Sequence, residues 1–193
     1  MRNLLVVEFL TLDGVMQGLG SPDEDRSGGF DYGGWAAPYG DDAQFDAAVE
    51  GMQSTTAYLF GRKTYEKMAA HWPTVGDDNP MAAHLNQTPK YVATRTLATA
   101  TWSNSRIIGD DLASEVAALK ADGDGTVSVL GSGDLVQTLI ADDLVDGFQL
   151  LVHPLLLGTG KRLFRSLDHP RALRLTNLRS TPTGVVMLDY ALD

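Results

Sequence analysis

Two glycine corners in this sequence combine residue types that bind phosphate. Apolar runs at 57–60 and 127–130 each end at a glycine, and a helix-like segment follows each of them. The first corner reads Gly61-Arg62-Lys63-Thr64, and the second reads Gly131-Ser132-Gly133-Asp134-Leu135. Backbone N–H groups and the start of a helix converge at such a corner, so each corner is suited to hold an anion.

The pairing of the two corners narrows the class of ligand. Two anion sites suit a ligand with separated phosphates, as a phosphorylated dinucleotide has, and NADPH is therefore the leading candidate. The alternative interpretation is that each corner is an ordinary strand-to-helix turn, with Arg62 and Lys63 in solvent.

The elements that must position these corners alternate between strand and helix. Apolar patterns predict strands over 3–10, 56–60, 90–94, 106–108, 127–130 and 145–152, and helices over 42–52, 63–70, 111–120 and 134–141. In the first helix, Asp41 or Asp42 is the expected N-cap, and Phe45, Val49 and Met52 are expected to pack on a sheet. The pattern predicts an α/β protein with a mostly parallel sheet.

Two segments depart from this alternation. Residues 12–41 form a long loop rich in Gly and Asp that also carries aromatic residues, and we expect it to cover a ligand. Residues 173–178 and 185–192 flank a turn-like Thr-Pro-Thr-Gly sequence, which predicts an antiparallel hairpin at the sheet edge. No linker divides the sequence, so we expect residues 1–193 to form a single domain.

Composition excludes several classes of function. The chain of 193 residues has no cysteine and four scattered His, so we expect no metal site. A formal net charge of −10 disfavours nucleic acid as a partner. No run approaches the roughly 18 apolar residues of a membrane span. The N-terminus lacks the small-residue cleavage site of a signal peptide, and we expect a cytoplasmic protein.

Five motifs resemble those of the dihydrofolate reductase-like superfamily in their residues and in their order along the chain. Within that superfamily, the chain is most similar to the reductase domain of riboflavin biosynthesis and its stand-alone relatives. The motifs read TLDGV at 11–15, LFGRKTYE at 59–66, KYVATR at 90–95, VLGSGDL at 129–135 and HPLLLGTG at 153–160. The resemblance implies a sheet of about eight strands with helices on both faces, NADPH as hydride donor, a small heterocyclic substrate and a homodimer.

The resemblance also assigns residues to the cofactor. It implies that Arg62, Lys63 and Thr64 contact the phosphates, that Arg95 meets the adenosine 2′-phosphate, and that Thr94 also binds the cofactor. A guanidinium suits a phosphate dianion, which favours NADPH over NADH. The corner at 131–135 matches the pyrophosphate loop. Gly131-Ser132 stands where dihydrofolate reductases have a Gly-Gly pair with a cis peptide bond, so the isomer of this bond is an open question.

The substrate side of the sequence leaves alternatives open. Asp13 and Asp46 are candidate proton donors; the alternative for Asp13 is an Asx turn, and the alternative for Asp46 is an acidic residue at a helix start. Trp35 is suited to stack on a planar heterocycle or to fill a local core. His153 either faces the ligand or ends a strand. The cluster Lys161, Arg162 and Arg165 either binds a ribose phosphate or forms a solvated face.

Several functions remain open at this stage. The first is reduction of 5-amino-6-(5-phosphoribosylamino)uracil, the reaction of the riboflavin-pathway reductase, and the second is reduction of folate or another pterin. A protein that binds NADPH or a pterin without turnover is a rival from another class. A structural homodimer subunit, whose hairpin at 173–192 is the functional surface, is a further rival.

Overall fold

The computed structural model of this chain describes residues 1–76, 78–165 and 167–192. Its eight strands are β1 (Asn3–Thr11), β2 (Thr55–Gly61), β3 (Lys90–Ala93), β4 (Ser105–Ile108), β5 (Thr126–Leu130), β6 (Gly147–His153), β7 (Leu173–Ser180) and β8 (Val186–Leu192). Its five α-helices are α1 (Asp42–Met52), α2 (Arg62–His71), α3 (Pro80–Gln87), α4 (Leu112–Ala121) and α5 (Gly133–Ala141).

All eight strands form one sheet in the order β4-β3-β2-β5-β1-β6-β8-β7. The pairs β2–β3, β2–β5 and β3–β4 are parallel, whereas β6–β8 and β7–β8 are antiparallel. The predicted α/β class, the mostly parallel sheet and the antiparallel C-terminal edge hairpin are therefore confirmed.

The helices follow the predicted order, with one addition and one correction. Helix α3 was not predicted; Asn79 caps it through bonds from two backbone N–H groups, and Pro80 is its first residue. The expected apolar face of α1 is wrong in part, because Phe45 is 41% exposed and Ala47 is the buried residue of that helix. Asp41 is the N-cap of α1, since its carboxylate accepts the Gln44 N–H at 2.9 Å.

The chain divides into two compact units. The first consists of Met1–Val6 and Ala47–Asp146, and the second of Val7–Asp46 and Gly147–Asp193. The single domain over 1–193 stays a prediction. In the described part of the chain, no helix has the length and apolar character required to cross a membrane.

The first unit has an aromatic core beside β2 and β3. Its buried members are Tyr58, Phe60, Tyr65, Leu85, Val92 and Trp102. The Tyr65 hydroxyl accepts the backbone N–H of Trp102 at 2.8 Å, which ties α2 to the segment before β4. This core therefore fixes the start of α2, where the first glycine corner lies.

Candidate functional site

Parallel pairing in the first unit places three strand ends at one edge of the sheet. In the register, Leu59 of β2 faces both Val129 of β5 and Tyr91 of β3. Because parallel strands run in one direction, the residues that follow β2, β3 and β5 emerge at the same edge. Both glycine corners and the Thr94-Arg95 pair follow these strands, so all the predicted cofactor residues lie at this edge.

Ser132 joins the two glycine corners directly. Its hydroxyl accepts the backbone N–H of Gly61 at 2.8 Å and donates to the Thr64 hydroxyl at 2.8 Å. A Cβ on Gly61 would lie 3.0 Å from the Ser132 Cβ and Oγ, and a Cβ on Gly131 would lie 3.5 Å from Thr64. Glycine at position 61 therefore favours the close approach of the two corners, because an added Cβ would push Ser132 away.

Two helices begin at these corners with donors facing outward. The N-cap residues, Gly61 for α2 and Ser132 for α5, make no side-chain bond to their own helix among the described contacts. The first N–H groups of a helix have no intrahelical acceptor, and the helix dipole favours negative charge there. The two helix starts thus supply backbone donors and positive potential at one place.

Three basic side chains belong to the same edge. Arg62 is 39% exposed and contacts both carboxylate oxygens of Glu66 at 3.0 Å, and Lys63 is exposed. Arg95 is exposed, and its Nε donates to the Gly109 carbonyl at 3.2 Å. The hydroxyl of Thr94 accepts the N–H groups of Thr96 and Leu97, each at 3.1 Å, so Thr94 shapes the turn that carries Arg95.

The other features of the second corner are an unusual backbone conformation at its first two residues and a buried side chain at its last. Gly131 and Ser132 both have positive φ values, 62° and 70°. The open question of the Gly131–Ser132 bond is answered, because the described chain contains no cis peptide and this bond is trans. Gly133 begins α5, Asp134 is exposed, and Leu135 is buried, so the Leu135 side chain packs in the core.

In the second unit, the Asp13 carboxylate fastens two loops together. It accepts the Thr11 hydroxyl at 2.6 Å and the N–H groups of Leu157 and Gly158 at 3.2 and 2.8 Å. These bonds, first of all the one from Thr11, lower the pKa of Asp13 to about 2. An ionised carboxylate has no proton to give, so the geometry supports the structural alternative for Asp13 over the role of proton donor.

Trp35 and His153 lie together inside the second unit. Trp35 is 6% exposed, donates to the Gln17 carbonyl at 2.7 Å, and meets His153 edge to face at a centroid distance of 5.1 Å. His153 is 1% exposed, and its Nδ1 lies 3.2 and 3.1 Å from the carbonyls of Leu10 and Leu151. Two carbonyls require a hydrogen on Nδ1, and burial lowers the pKa of His153, so the ring is neutral. Both residues fill a local core.

The other residues predicted for the substrate side are either exposed or engaged in contacts within the second unit. Asp46 is exposed on α1, and its assignment as a proton donor stays a prediction. Lys161 pairs with Asp25 at 2.7 Å, and Arg162 donates to the Asp13 carbonyl at 2.8 Å. Their cations therefore hold loops of the second unit together. Arg165 is exposed.

Two buried titratable residues were not predicted from the sequence. Glu8 is 5% exposed on β1, its Oε2 has no hydrogen-bond partner among the described residues, and burial raises its pKa to about 8. Lys90 is fully buried at the start of β3; its Nζ donates to the carbonyls of Leu85 and Thr88 at 2.6 and 2.7 Å. The signal in the sequence was a charged residue on the apolar face of a strand.

No group of three or more acidic or His side chains in the described residues is arranged to hold a metal ion. The first unit brings two helix starts together through Ser132, and Arg62 and Arg95 follow strand ends at the same edge of the sheet. Comparison with known proteins supplies the family. A sequence profile of the RibD C-terminal domain matches residues 2–187. The chain belongs to the RibD C-terminal domain family.

This is a family of reductases, and its members generally use NADPH. The uncharacterized protein YyaP of Bacillus subtilis is 30% identical over 135 residues, which cover 68% of this chain and 71% of YyaP. The predicted membership in the riboflavin-biosynthesis reductase family is thus confirmed.

Two solved structures share the fold. One is a protein from Shewanella sp. PV-4 whose name assigns it to riboflavin biosynthesis; it superposes with a TM-score of 0.75 at 19% identity, over 100% of this chain and 99% of that one. The other is a pyrimidine reductase-like protein from Corynebacterium diphtheriae, with a TM-score of 0.65 at 13% identity, over 100% of this chain and 92% of that one. At these identities the likeness establishes the dihydrofolate reductase-like fold.

Proposed function

We propose that this protein is an NADPH-dependent reductase of a small heterocycle, most closely of the phosphoribosylaminouracil that the riboflavin-pathway reductase reduces. The single observation that carries the proposal is the junction of the two glycine corners through Ser132. That junction brings two helix starts together, and with the nearby Arg62 they would form one anion site. A phosphorylated dinucleotide is the ligand class that such a site fits.

The residues at the sheet edge fit NADPH by their chemistry. The backbone N–H groups of Gly133, Asp134 and Leu135 would hold the pyrophosphate, with those of α2 beside them. Arg62, Lys63 and Thr64 would contact phosphate oxygens, and Thr94 and Arg95 would receive the 2′-phosphate. When bound, the nicotinamide supplies a hydride to the substrate.

The cofactor assignment is tested by fluorescence titration of the purified protein with NADPH and with NADH. We expect NADPH to bind more tightly, because only NADPH carries the phosphate that Arg95 would contact. Arg95→Ala should weaken NADPH by about tenfold and leave NADH unchanged, and Arg62→Ala should weaken both. Arg106→Ala, which removes an exposed arginine from β4 of the same unit, is the matched control and should change neither. If wild-type protein binds neither nucleotide, the proposal is wrong.

Turnover is tested separately by the loss of NADPH absorbance with the pyrimidine ribosylamine phosphate and with dihydrofolate. A second candidate function is cofactor binding without turnover. One observation favours it: Asp13, Trp35 and His153 all serve internal contacts in the second unit. NADPH binding without oxidation, over a panel of reducible pyrimidines and pterins, would support that candidate and exclude the reductase.

A homodimer is also proposed, with the edge strand β7 as the contact. Every residue of β7 is exposed, and Leu173, Leu175 and Leu178 are 38%, 47% and 57% exposed. An exposed edge strand that carries apolar side chains is a site for pairing with another chain. Light scattering after gel filtration should report twice the chain mass for wild type and the single-chain mass for Leu175→Glu. A monomeric wild type contradicts this assignment.

A further inference from the structure

Ser132 holds a backbone conformation that favours glycine. Its φ and ψ are 70° and 59°, in the left-handed region, where a Cβ crowds the following carbonyl. Glycine at this position would carry no such strain. Strained residues of this kind persist where the side chain has a task, and they cluster at ligand sites.

The Ser132 hydroxyl uses its only hydrogen inside the protein. It accepts the Gly61 N–H at 2.8 Å, and it gives its single hydrogen to the Thr64 oxygen at 2.8 Å. Since a hydroxyl has one hydrogen, Ser132 has none left to donate to a ligand. Its side chain therefore acts on the site through Thr64.

The Thr64 hydroxyl, in contrast, still has a hydrogen to donate. It accepts from Ser132, and its own hydrogen has no acceptor among the contacts of the described residues. Thr64 is the third residue of α2, at the positive end of the helix dipole. Because the Thr64 oxygen accepts the hydrogen of Ser132 on one side, the Thr64 O–H remains as a donor on the other.

We propose that Ser132 is a positioning residue that orients the Thr64 hydroxyl to donate to a phosphate oxygen of the cofactor. This inference rests on the proposed function. It identifies the contact that orients one hydrogen-bond donor of the phosphate site toward an anion. The order of donation is Gly61 N–H to Ser132, Ser132 to Thr64, and Thr64 to phosphate. In such a chain, each bond polarises the next and strengthens the terminal donor.

The test is a double-variant cycle on the dissociation constant of NADPH. Thr64→Val removes the terminal donor, and we expect affinity to fall about tenfold. Ser132→Gly removes the hydroxyl while it relieves the backbone strain, and we expect a loss of about fivefold. Because Ser132 acts through Thr64, the double variant should lose no more than Thr64→Val alone.

Two controls separate positioning from a general structural effect. Thr64→Ser keeps the hydroxyl and should recover most of the affinity that Thr64→Val loses. Thr138→Val removes an exposed hydroxyl that bonds the Asp134 carbonyl on α5, and it should leave affinity unchanged. Thermal unfolding of each variant should show that Ser132→Gly is at least as stable as wild type, so that lost affinity does not reflect lost fold.

The outcomes distinguish this inference from the proposed function. If wild type binds NADPH but Ser132→Gly binds it equally well, or if the two single losses multiply in the double variant, this inference alone is refuted. If wild type binds neither NADPH nor pyrophosphate in a thermal-shift titration, both fail. If it binds pyrophosphate only, the same cycle with pyrophosphate decides the inference, and the cofactor assignment fails by itself.

Discussion

The buried carboxyl of Glu8 makes the free energy of unfolding depend on pH at neutral and mildly basic pH, where an ordinary glutamate does not titrate. Glu8 is 5% exposed; its Oε1 accepts the Phe9 N–H at 3.3 Å, and its Oε2 has no hydrogen-bond partner among the described residues. Burial is the main cause that raises its pKa from 4.5 to about 8, and the Glu24 carboxylate adds to the rise. At neutral pH the folded protein therefore keeps Glu8 protonated.

The size of the effect follows from proton linkage. A rise from 4.5 to about 8 corresponds to about 5 kcal/mol, at about 1.4 kcal/mol per pKa unit. The folded pKa lies above the unfolded value, so the folded state binds the proton more tightly. This stabilisation is complete below pH 4.5 and is lost as the pH rises through about 8.

The assay is urea unfolding followed by tryptophan fluorescence for wild type and Glu8→Gln. Gln cannot ionise, so the variant lacks this dependence. Between about pH 5.5 and pH 8.5, wild type should lose about 3 kcal/mol more free energy of unfolding than the variant. Glu50→Gln, at an exposed position of α1, is the matched control and should follow wild type. If wild type and Glu8→Gln change in parallel over this range, the argument from burial is wrong.

Three further changes test other parts of the structure. Lys90→Met leaves main-chain carbonyls of a buried ammonium site unsatisfied, and urea unfolding should show a loss of about 3 kcal/mol. Gly61→Ala forces a Cβ to 3.0 Å from Ser132 and should abolish NADPH binding, whereas Gly40→Ala, with its nearest atom at 3.9 Å, should bind normally. Asp13→Asn should lower the melting temperature at pH 7, and the difference from wild type should shrink as the pH falls toward 2. The pKa of Asp13 is lower in the folded protein than in the unfolded chain, so the ionised carboxylate stabilises the fold above pH 3.8, and this stabilisation is lost as the pH falls through about 2. Unchanged melting of Asp13→Asn together with lost turnover would instead restore Asp13 as a catalytic residue.

The order of strands and helices could be predicted because its signals are local. Apolar runs that end at Gly61 and Gly131 mark strand ends, and both strands stop within a residue of the predicted position. Helix α3 had a local signal as well, since Asn79-Pro80 is a typical helix start, but it lies in a polar segment without a strong apolar period. Phe45 was misplaced because periodicity identifies an apolar stripe and does not show whether another element covers it.

The roles of single side chains depended on partners far away in the sequence. Asp13 is held by N–H groups more than 140 residues away, and Trp35 by a carbonyl 18 residues before it. No local pattern distinguishes such a loop fastener from a proton donor. The geometry of the two glycine corners was easier to predict, because backbone donors at a helix start follow from the strand-glycine-helix order itself, whatever the side chains contact.

The fastening of Asp13 has a consequence for the amide protons of an irregular segment. Residues 154–161 form neither a helix nor a strand, and amides in such segments usually exchange with solvent within seconds to minutes. Here the Leu157 and Gly158 amides donate to a carboxylate that stays ionised down to a pH of about 2. Deuterium should therefore enter these two positions slowly, as it does in a sheet. This stretch of coil should remain ordered when its neighbours on either side exchange.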